Sequence, residues 1–172
     1  MKPEDFGYVI KNGILAFQKG PLSQWYGAFQ GQGGTTQFHC KDGVDYNCCE
    51  QYMMHKKAML FNDILSANKI LKEKNPKKQK ELGRLVKGYN EKVWEENRFK
   101  IVFDGNYYKF TQNPLLGEFL IRTRPNILVE AAPWDKIWGS GTGPTDERTF
   151  DKDRWLGLNL LGKANMQVRA II

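Results

Sequence analysis

The amino-acid sequence predicts a mainly helical α+β fold in a single domain, with about five helices and a few short strands. The chain has 172 residues, the length of one ordinary domain, so residues 1–172 are expected to form that domain. Apolar residues make up 41% of the chain, enough to close a sizeable core. Helical periodicity dominates after about residue 45, whereas the preceding residues are rich in glycine and aromatic side chains.

The strands are expected to be short, because the apolar runs that predict them are short. Ile14–Phe17 lies in the glycine-rich first part of the chain. Ile127–Glu130 follows a turn at Pro125 and Asn126.

The helices are predicted from their start and stop signals. Asn47 is a candidate N-cap, and Glu50 three residues later completes a capping box, so a helix is expected over residues 48 to about 66. Pro76 opens a second helix over about residues 76–87, which Gly88 ends. Further helices are predicted over about residues 91–107 and 114–123, and from about residue 153 towards the C-terminus.

The hydropathy, the N-terminal segment and the cysteines indicate the cellular compartment in which the protein is expected. The sequence has no long uncharged apolar run, which argues against a membrane-spanning helix, and the acidic N-terminal segment predicts a cytoplasmic protein that is not exported. Cys40, Cys48 and Cys49 are odd in number and two are adjacent, which does not suit a disulfide framework. Their spacing with His39 and His55 matches no zinc pattern, so partly buried, reduced thiols and no metal are expected.

Positive charge is concentrated in one segment. The formal net charge is +7, and residues 69–100 contain eleven Lys or Arg against five Asp or Glu. Such a segment can attract phosphate from a nucleotide or from a nucleic-acid backbone. The alternative is a solvated helical face.

Two opposite charges interrupt the apolar side of the first predicted helix. Positions 50, 54, 57, 61 and 64 fall within about 40° of a common line, and they include Glu50 and Lys57. Burying an unpaired charge costs several kcal/mol, so both side chains are expected to be paired, to lie at the rim, or to face a polar ligand. The alternative is that Glu50 caps its own helix and Lys57 extends to solvent.

Two further groups of residues are candidates for ligand binding. Trp94 and Arg98 are one helical turn apart, which suits a base and a phosphate, but also a tryptophan packed under an arginine stem. Asp135 lies in the segment that follows the strand near residue 130, and it precedes Trp138 and Gly139, although it can simply cap a short turn. Neither a dinucleotide fingerprint within a βαβ unit nor a P-loop is present in the sequence.

Several short motifs lie in a fixed order along the chain. They are Leu22-Ser23-Gln24-Trp25-Tyr26, Glu50-Gln51-Tyr52-Met53-Met54-His55-Lys56-Lys57-Ala58, Leu82-Gly83-Arg84, Trp94 with Arg98, Lys109-Phe110, Leu128-Val129-Glu130, Asp135-Lys136-Ile137-Trp138-Gly139, Asn159-Leu160-Leu161-Gly162 and Val168-Arg169. Each motif is weak alone. The ordered set resembles the NADAR family (named for NAD and ADP-ribose), also called YbiA-like N-glycosidases, from about residue 20 to residue 169.

The resemblance implies a mainly helical fold and hydrolysis of an N-glycosidic bond to a phosphorylated ribose. Some members of the family act on phosphoribosylamino intermediates of riboflavin synthesis, and others remove ADP-ribose from guanine in DNA. The implied catalytic residues are Glu50, Lys57 and Asp135. The expected substrate-binding residues are Trp25, Arg84, Trp94, Arg98, Trp138, Gly139 and Asn159.

Both implied substrates join C1 of ribose to an exocyclic amine, which can open to an imine and react with a lysine. The expected route makes Lys57 the nucleophile at C1, with Glu50 or Asp135 moving protons. The second route is direct hydrolysis, in which a carboxylate activates water and Lys57 holds phosphate. Neither requires a cofactor or a metal. A different class of function is a non-catalytic module that binds ADP-ribose or nucleic acid through residues 69–100.

Overall fold

A computed structural model describes residues 1–27 and 36–172. The fold is α+β and mainly helical, as the sequence predicts, with six α-helices and five short strands among the described residues. The chain forms two compact units, one made of Met1–Ser23 and Pro114–Ile172 and the other of Gln24–Asn113. Among the described residues, no helix is both long and apolar enough to cross a membrane.

The first unit is built on a three-stranded sheet. Strand β1 (Val9–Lys11) pairs antiparallel with β2 (Ile14–Phe17), and β2 pairs parallel with β5 (Ile127–Glu130), so both predicted strands are confirmed. Two α-helices, α5 (Pro114–Arg122) and α6 (Leu160–Ile171), belong to the same unit, and α6 packs against β5.

The last helix begins later than the sequence predicts. Residues from 153 onwards do not start it: Lys152–Arg154 form a short 3-10 helix, and α6 opens only after Asn159. Gly157 explains part of the delay, because a Cβ there would lie 2.5 Å from the Gly139 carbonyl oxygen. This close approach of two backbones requires glycine, which does not favour a continuous helix.

The second unit is built around one central helix, α1 (Cys49–Leu60), which packs against α2 (Ile64–Lys72), α3 (Pro76–Arg84) and α4 (Glu91–Gln112). A two-stranded hairpin, β3 (Phe38–His39) with β4 (Asp45–Tyr46), adds its aromatic residues to the core. Helix α4 is one turn longer than predicted, and α3 ends at Arg84, earlier than predicted.

The helix predicted over residues 48–66 is wrong in its second half. The chain leaves α1 after Leu60, Asn62 adopts a left-handed conformation with φ of 58°, and Asp63 starts a separate helix by accepting the Ser66 backbone N–H at 3.1 Å. Asparagine and aspartate favour such a turn because they tolerate positive φ and cap the next helix. Apolar periodicity continues across the break and conceals it in the sequence.

Candidate functional site

Helix α1 begins without capping by Glu50. Its N-cap is Cys48, whose side chain makes no capping hydrogen bond. Instead, the Gln51 side-chain oxygen accepts the Asn47 backbone N–H at 2.8 Å, and its Nε2 donates to backbone carbonyls at the end of α2. The predicted capping box of Asn47 and Glu50 is therefore wrong, and the neighbouring glutamine makes that contact.

The Glu50 carboxylate is buried beside an indole. Its side chain is 2% exposed, and Trp25 donates its Nε1–H to Oε2 at 3.1 Å. The Glu50 backbone N–H also donates to the Gln24 carbonyl at 3.1 Å, which fixes the segment before Trp25 against the start of α1. Removing a carboxylate from water costs free energy, so this buried acid is unfavourable for folding unless polar groups surround it.

Lys57 lies two turns further along the same helix, between two aromatic rings. Its Nζ is 4.3 Å from the centroid of the Tyr89 ring and 5.4 Å from that of the Trp94 ring. Both distances are within the range of about 6 Å over which an ammonium is attracted to a ring face. Lys57 is half-buried, so the prediction that it simply extends into solvent does not describe its surroundings.

Burial lowers the pKa of Lys57 from its ordinary value of 10.5. The negative charge of Glu91 raises this pKa, and the positive charge of Arg84 lowers it further, so both residues lie near enough to act on the ammonium. A lysine whose neutral form is more accessible is a better nucleophile and base near neutral pH than an exposed one.

Glu50 and Lys57 share one face of α1 and are separated by roughly 10 Å along its axis. Met54 lies between them and packs on α3, where a Cβ at Gly83 would be 1.9 Å from the methionine sulfur. The sequence pattern places positions 61 and 64 on the same helix side as well. That part of the prediction is wrong, since Phe61 follows the end of α1 and Ile64 belongs to α2. The stripe within α1 is therefore acid, methionine and lysine.

Trp94 and Arg98 share the buried face of α4, as their spacing predicts. Each residue is 7% exposed, and an Arg98 Nη lies 3.3 Å from the carboxylate of Glu95. Arg84 is exposed at the end of α3. Whether either guanidinium binds phosphate stays a prediction.

Tyr89 is the site residue that the sequence analysis missed. It lies in the turn before α4, and its hydroxyl donates to the Glu91 carboxylate at 2.6 Å. Phe61 packs edge-on against its ring, with 5.3 Å between the centroids. Because Tyr89 is outside any helix, no periodicity links it to Lys57, and only the tertiary structure brings the two side chains together.

The remaining predicted residues belong to the first unit. The Asp135 carboxylate accepts the backbone N–H groups of Ile137 at 2.9 Å and Trp138 at 2.8 Å, both on Oδ1. This is the turn-capping alternative that the sequence left open, and it fixes the carboxylate rigidly. Its catalytic role stays a prediction, as does substrate binding by the half-buried Trp138.

Gly139 and Asn159 hold the backbone of the first unit together. A Cβ at Gly139 would lie 2.9 Å from the carbonyl oxygens of Glu130 and Asp135. The buried Asn159 amide donates to the Leu128 carbonyl at 2.9 Å and accepts the Glu130 N–H at 3.0 Å. Both polar atoms of Asn159 are thus engaged by β5, and substrate binding by either residue stays a prediction.

The three cysteines are free, as predicted, and all three are buried rather than partly buried. Burial raises the pKa of Cys48 to about 12 and that of Cys49 to about 11, so neither thiol supplies a thiolate near neutral pH. Within residues 1–27 and 36–172, no group of three or more His, Cys, Asp or Glu side chains is arranged to hold a metal ion.

Comparison with known proteins places this chain in a family. A model of the NADAR domain matches residues 15–172. The chain belongs to the NADAR domain family. It is 42% identical over 126 residues to N-glycosidase R617 of Acanthamoeba polyphaga mimivirus, covering 73% of this chain and 74% of that protein. The family therefore includes hydrolases of N-glycosidic bonds.

Two other similarities complete the comparison. The chloroplastic riboflavin biosynthesis protein PYRR of Zea mays is 32% identical over 129 residues, covering 70% of this chain but 19% of that longer protein. The solved structure of Escherichia coli YbiA superposes with a TM-score of 0.72 at 23% identity, covering 98% of this chain and 90% of that one. That structure shares the fold, which confirms the mainly helical NADAR architecture.

Proposed function

We propose that this NADAR protein is an N-glycosidase that hydrolyses the bond between ribose C1 and an exocyclic amine, and that it removes ADP-ribose from guanine in DNA. One observation carries the proposal: a buried carboxylate and an aromatic-walled lysine lie on one face of α1, at Glu50 and Lys57. Gln51, and not Glu50, accepts the Asn47 backbone N–H at the start of this helix.

The proposed reaction begins with opening of the ribose ring to an imine, while Glu50 moves the protons. The neutral Lys57 amine then forms a bond from Nζ to C1. The bond from C1 to the exocyclic nitrogen breaks, and this nitrogen leaves as an amine after taking a proton. Water adds to C1 of the remaining iminium and returns Lys57 as the amine, so the net reaction is hydrolysis.

Other residues bind and orient the substrate in this proposal. Trp94 stacks on the base or sugar, and Arg84 and Arg98 neutralise phosphate. Asp135 is a second candidate for proton transfer, and the exposed lysines of α3 are candidates for contact with DNA phosphates. We also propose that the protein is cytoplasmic.

A second substrate class is favoured by the similarity to a protein named for riboflavin biosynthesis. A phosphoribosylamino intermediate carries the same C1–amine bond, so the same lysine and carboxylate can act on it. Direct hydrolysis is the alternative mechanism for either substrate, with a carboxylate activating water and Lys57 holding phosphate.

The experiment that tests the proposal offers the protein two substrates and a reductant. Release of free ADP-ribose from an ADP-ribosylated guanine oligonucleotide is expected, and turnover only of the phosphoribosylamino compound would move the protein to the second substrate class. Borohydride reduces an iminium to a stable amine, so the ribosyl portion is expected to remain on the peptide that contains Lys57.

Lys56 provides the internal control, because it neighbours Lys57 but pairs with the Asp42 carboxylate at 2.6 Å. Labelling of Lys56 instead, or turnover without any adduct, would reject the lysine route. Binding of the oligonucleotide without turnover of either substrate would favour the non-catalytic module.

A further inference from the structure

Tyr89 occupies a position that the proposed mechanism does not yet use. Its ring centroid is 4.3 Å from Lys57 Nζ, nearer than the Trp94 ring at 5.4 Å. The side chain is 42% exposed, so core packing alone does not account for its location. Its hydroxyl donates to Glu91, and Phe61 packs on its edge, so the ring is held from two sides over the lysine.

We infer that Tyr89 is a catalytic residue whose ring face stabilises the cationic iminium on Lys57. This inference rests on the lysine route of the proposed function. When Nζ bonds to C1 and the exocyclic amine leaves, the nitrogen of Lys57 keeps a positive charge as the protonated iminium. The negative face of an aromatic ring attracts a cation at this distance, and more strongly when water is excluded. The ring therefore acts on the atom that reacts.

The contact between the Tyr89 ring and Nζ works against the reaction at its start, when Lys57 is still an amine. A ring face over Nζ favours the protonated amine, as Glu91 does, whereas burial and Arg84 favour the neutral form. The Tyr89 hydroxyl is held by Glu91, with Arg98 and Glu95 nearby, and burial raises its pKa to about 12, so it stays neutral in the working range. Removing the ring should thus lower the pKa of Lys57 and yet slow formation of the iminium.

This opposition defines the experiment. Tyr89→Leu retains apolar volume without a ring face, and Tyr89→Phe retains the ring without the hydroxyl. We expect Tyr89→Leu to reduce kcat and the rate of borohydride trapping on Lys57 by about five- to thirtyfold, and to move the acid limb of the pH–rate profile down by about half to one unit. Tyr89→Phe is expected to stay within about threefold of the wild type.

A matched control separates this effect from packing. Tyr107→Leu removes a partly exposed tyrosine ring of α4 that stacks on Phe103 rather than over Lys57, so it should lower the melting temperature without reducing trapping. Replacement of Tyr89 by pentafluorophenylalanine keeps the ring's shape and reverses its quadrupole, so trapping should fall even if Tyr89→Leu does not fold.

The outcomes distinguish this inference from the proposed function. Absence of any Lys57 adduct in the wild type would reject the lysine route itself. A wild-type adduct that forms equally fast in Tyr89→Leu and in the pentafluorophenylalanine variant would overturn only the role of Tyr89. A loss in Tyr89→Phe as large as that in Tyr89→Leu would assign the effect to the hydroxyl and overturn it as well.

Discussion

The predicted site residues in Gln24–Asn113 and those in Pro114–Ile172 differ in what their polar atoms contact. In the first group, Glu50 meets an indole N–H and Lys57 meets two ring faces, so their partners are other side chains. In the second group, Asp135 and Asn159 bind backbone amides and carbonyls of their own unit. Residues of one family motif set therefore serve two physical purposes.

These two kinds of contact have different consequences for stability and for chemistry. A polar side chain that satisfies buried backbone groups is fixed by the fold, and its loss leaves those groups without partners. Burying a charged side chain costs desolvation free energy, so a buried acid and a half-buried lysine on one helix face are candidates for chemistry. We therefore expect changes at Glu50 and Lys57 to affect turnover, and a change at Asn159 to affect stability.

The largest expected effect is that of Lys57→Arg. Arginine keeps the positive charge but is never neutral at working pH, so it cannot attack C1. Under the lysine route, turnover should fall by more than about 10³-fold, measured as initial rates of ADP-ribose release, with the melting temperature little changed. Lys56→Arg, at the neighbouring surface pair, is the matched control and should retain activity. Substantial activity in Lys57→Arg would favour phosphate binding and direct hydrolysis.

Glu50→Gln comes next. The amide oxygen can still accept the Trp25 Nε1–H and the amide carries no buried charge, so the variant should unfold at or above the melting temperature of the wild type. It cannot transfer protons, which should slow turnover by about 10²–10⁴-fold. Initial rates and thermal unfolding, measured on the same preparation, distinguish a catalytic from a structural role of Glu50. A stable variant with a near-normal rate would make Glu50 a structural residue and remove the contrast between the two groups.

Asn159→Ala should instead lower the free energy of unfolding. The Leu128 carbonyl and the Glu130 N–H would lose their partner, which costs about 2–5 kcal/mol in total for two buried groups. Asn159 also has φ of 50°, where alanine is strained by roughly a further 1 kcal/mol. Urea unfolding measures the loss.

Asn159→Gly is the control that separates the two causes, because glycine accepts this backbone conformation and still lacks the amide. It should recover only the strain. If Asn159→Ala keeps its stability and raises KM, the residue binds substrate, and the contrast between the two groups fails.

Most of the architecture could be predicted from the sequence, but the contacts of the site could not. Helical periodicity and the residues that start and stop helices located α3 and α4, and a short apolar run after a turn located β5. The shared face of Trp94 and Arg98 followed from their spacing. The break at Asn62 was missed because apolar periodicity continues across it. Tyr89 was missed because it lies in a turn, where no period connects it with Lys57.

A change of pH should test a smaller effect within Gln24–Asn113. His55, on α1 but away from Lys57, is 6% exposed, and its Nδ1 lies 2.8 Å from the Tyr46 hydroxyl. Burial lowers its pKa to about 4, with a smaller contribution from Lys56, whereas the unfolded chain binds this proton near pH 6.5. Neutral His55 therefore contributes fully to the free energy of unfolding above pH 6.5. This contribution is lost as the pH falls to about 4, by up to about 3 kcal/mol.

The His55→Gln variant isolates this contribution, because glutamine can still bond the Tyr46 hydroxyl but does not titrate. The difference in unfolding free energy between wild type and variant should change across pH 6.5 to 4 and be constant above it. A constant difference over the whole range would show that His55 is not the group that titrates.

The smallest expected effect concerns the basic face of α3, and it asks whether Gln24–Asn113 also contacts the substrate outside the catalytic residues. Lys77 and Lys78 are exposed and Lys80 is half-buried, so all three can reach a phosphate backbone. Reversing their charge should weaken binding of an ADP-ribosylated oligonucleotide and reduce the slope of log affinity against log salt by about one unit per lost contact. Reversing the exposed Lys11, Lys19 and Lys163 in the other unit is the charge-matched control. If the slope of log affinity against log salt is the same in the α3 variant and in the control variant, the α3 lysines form a solvated face. The phosphoribosylamino compound would then become the favoured substrate.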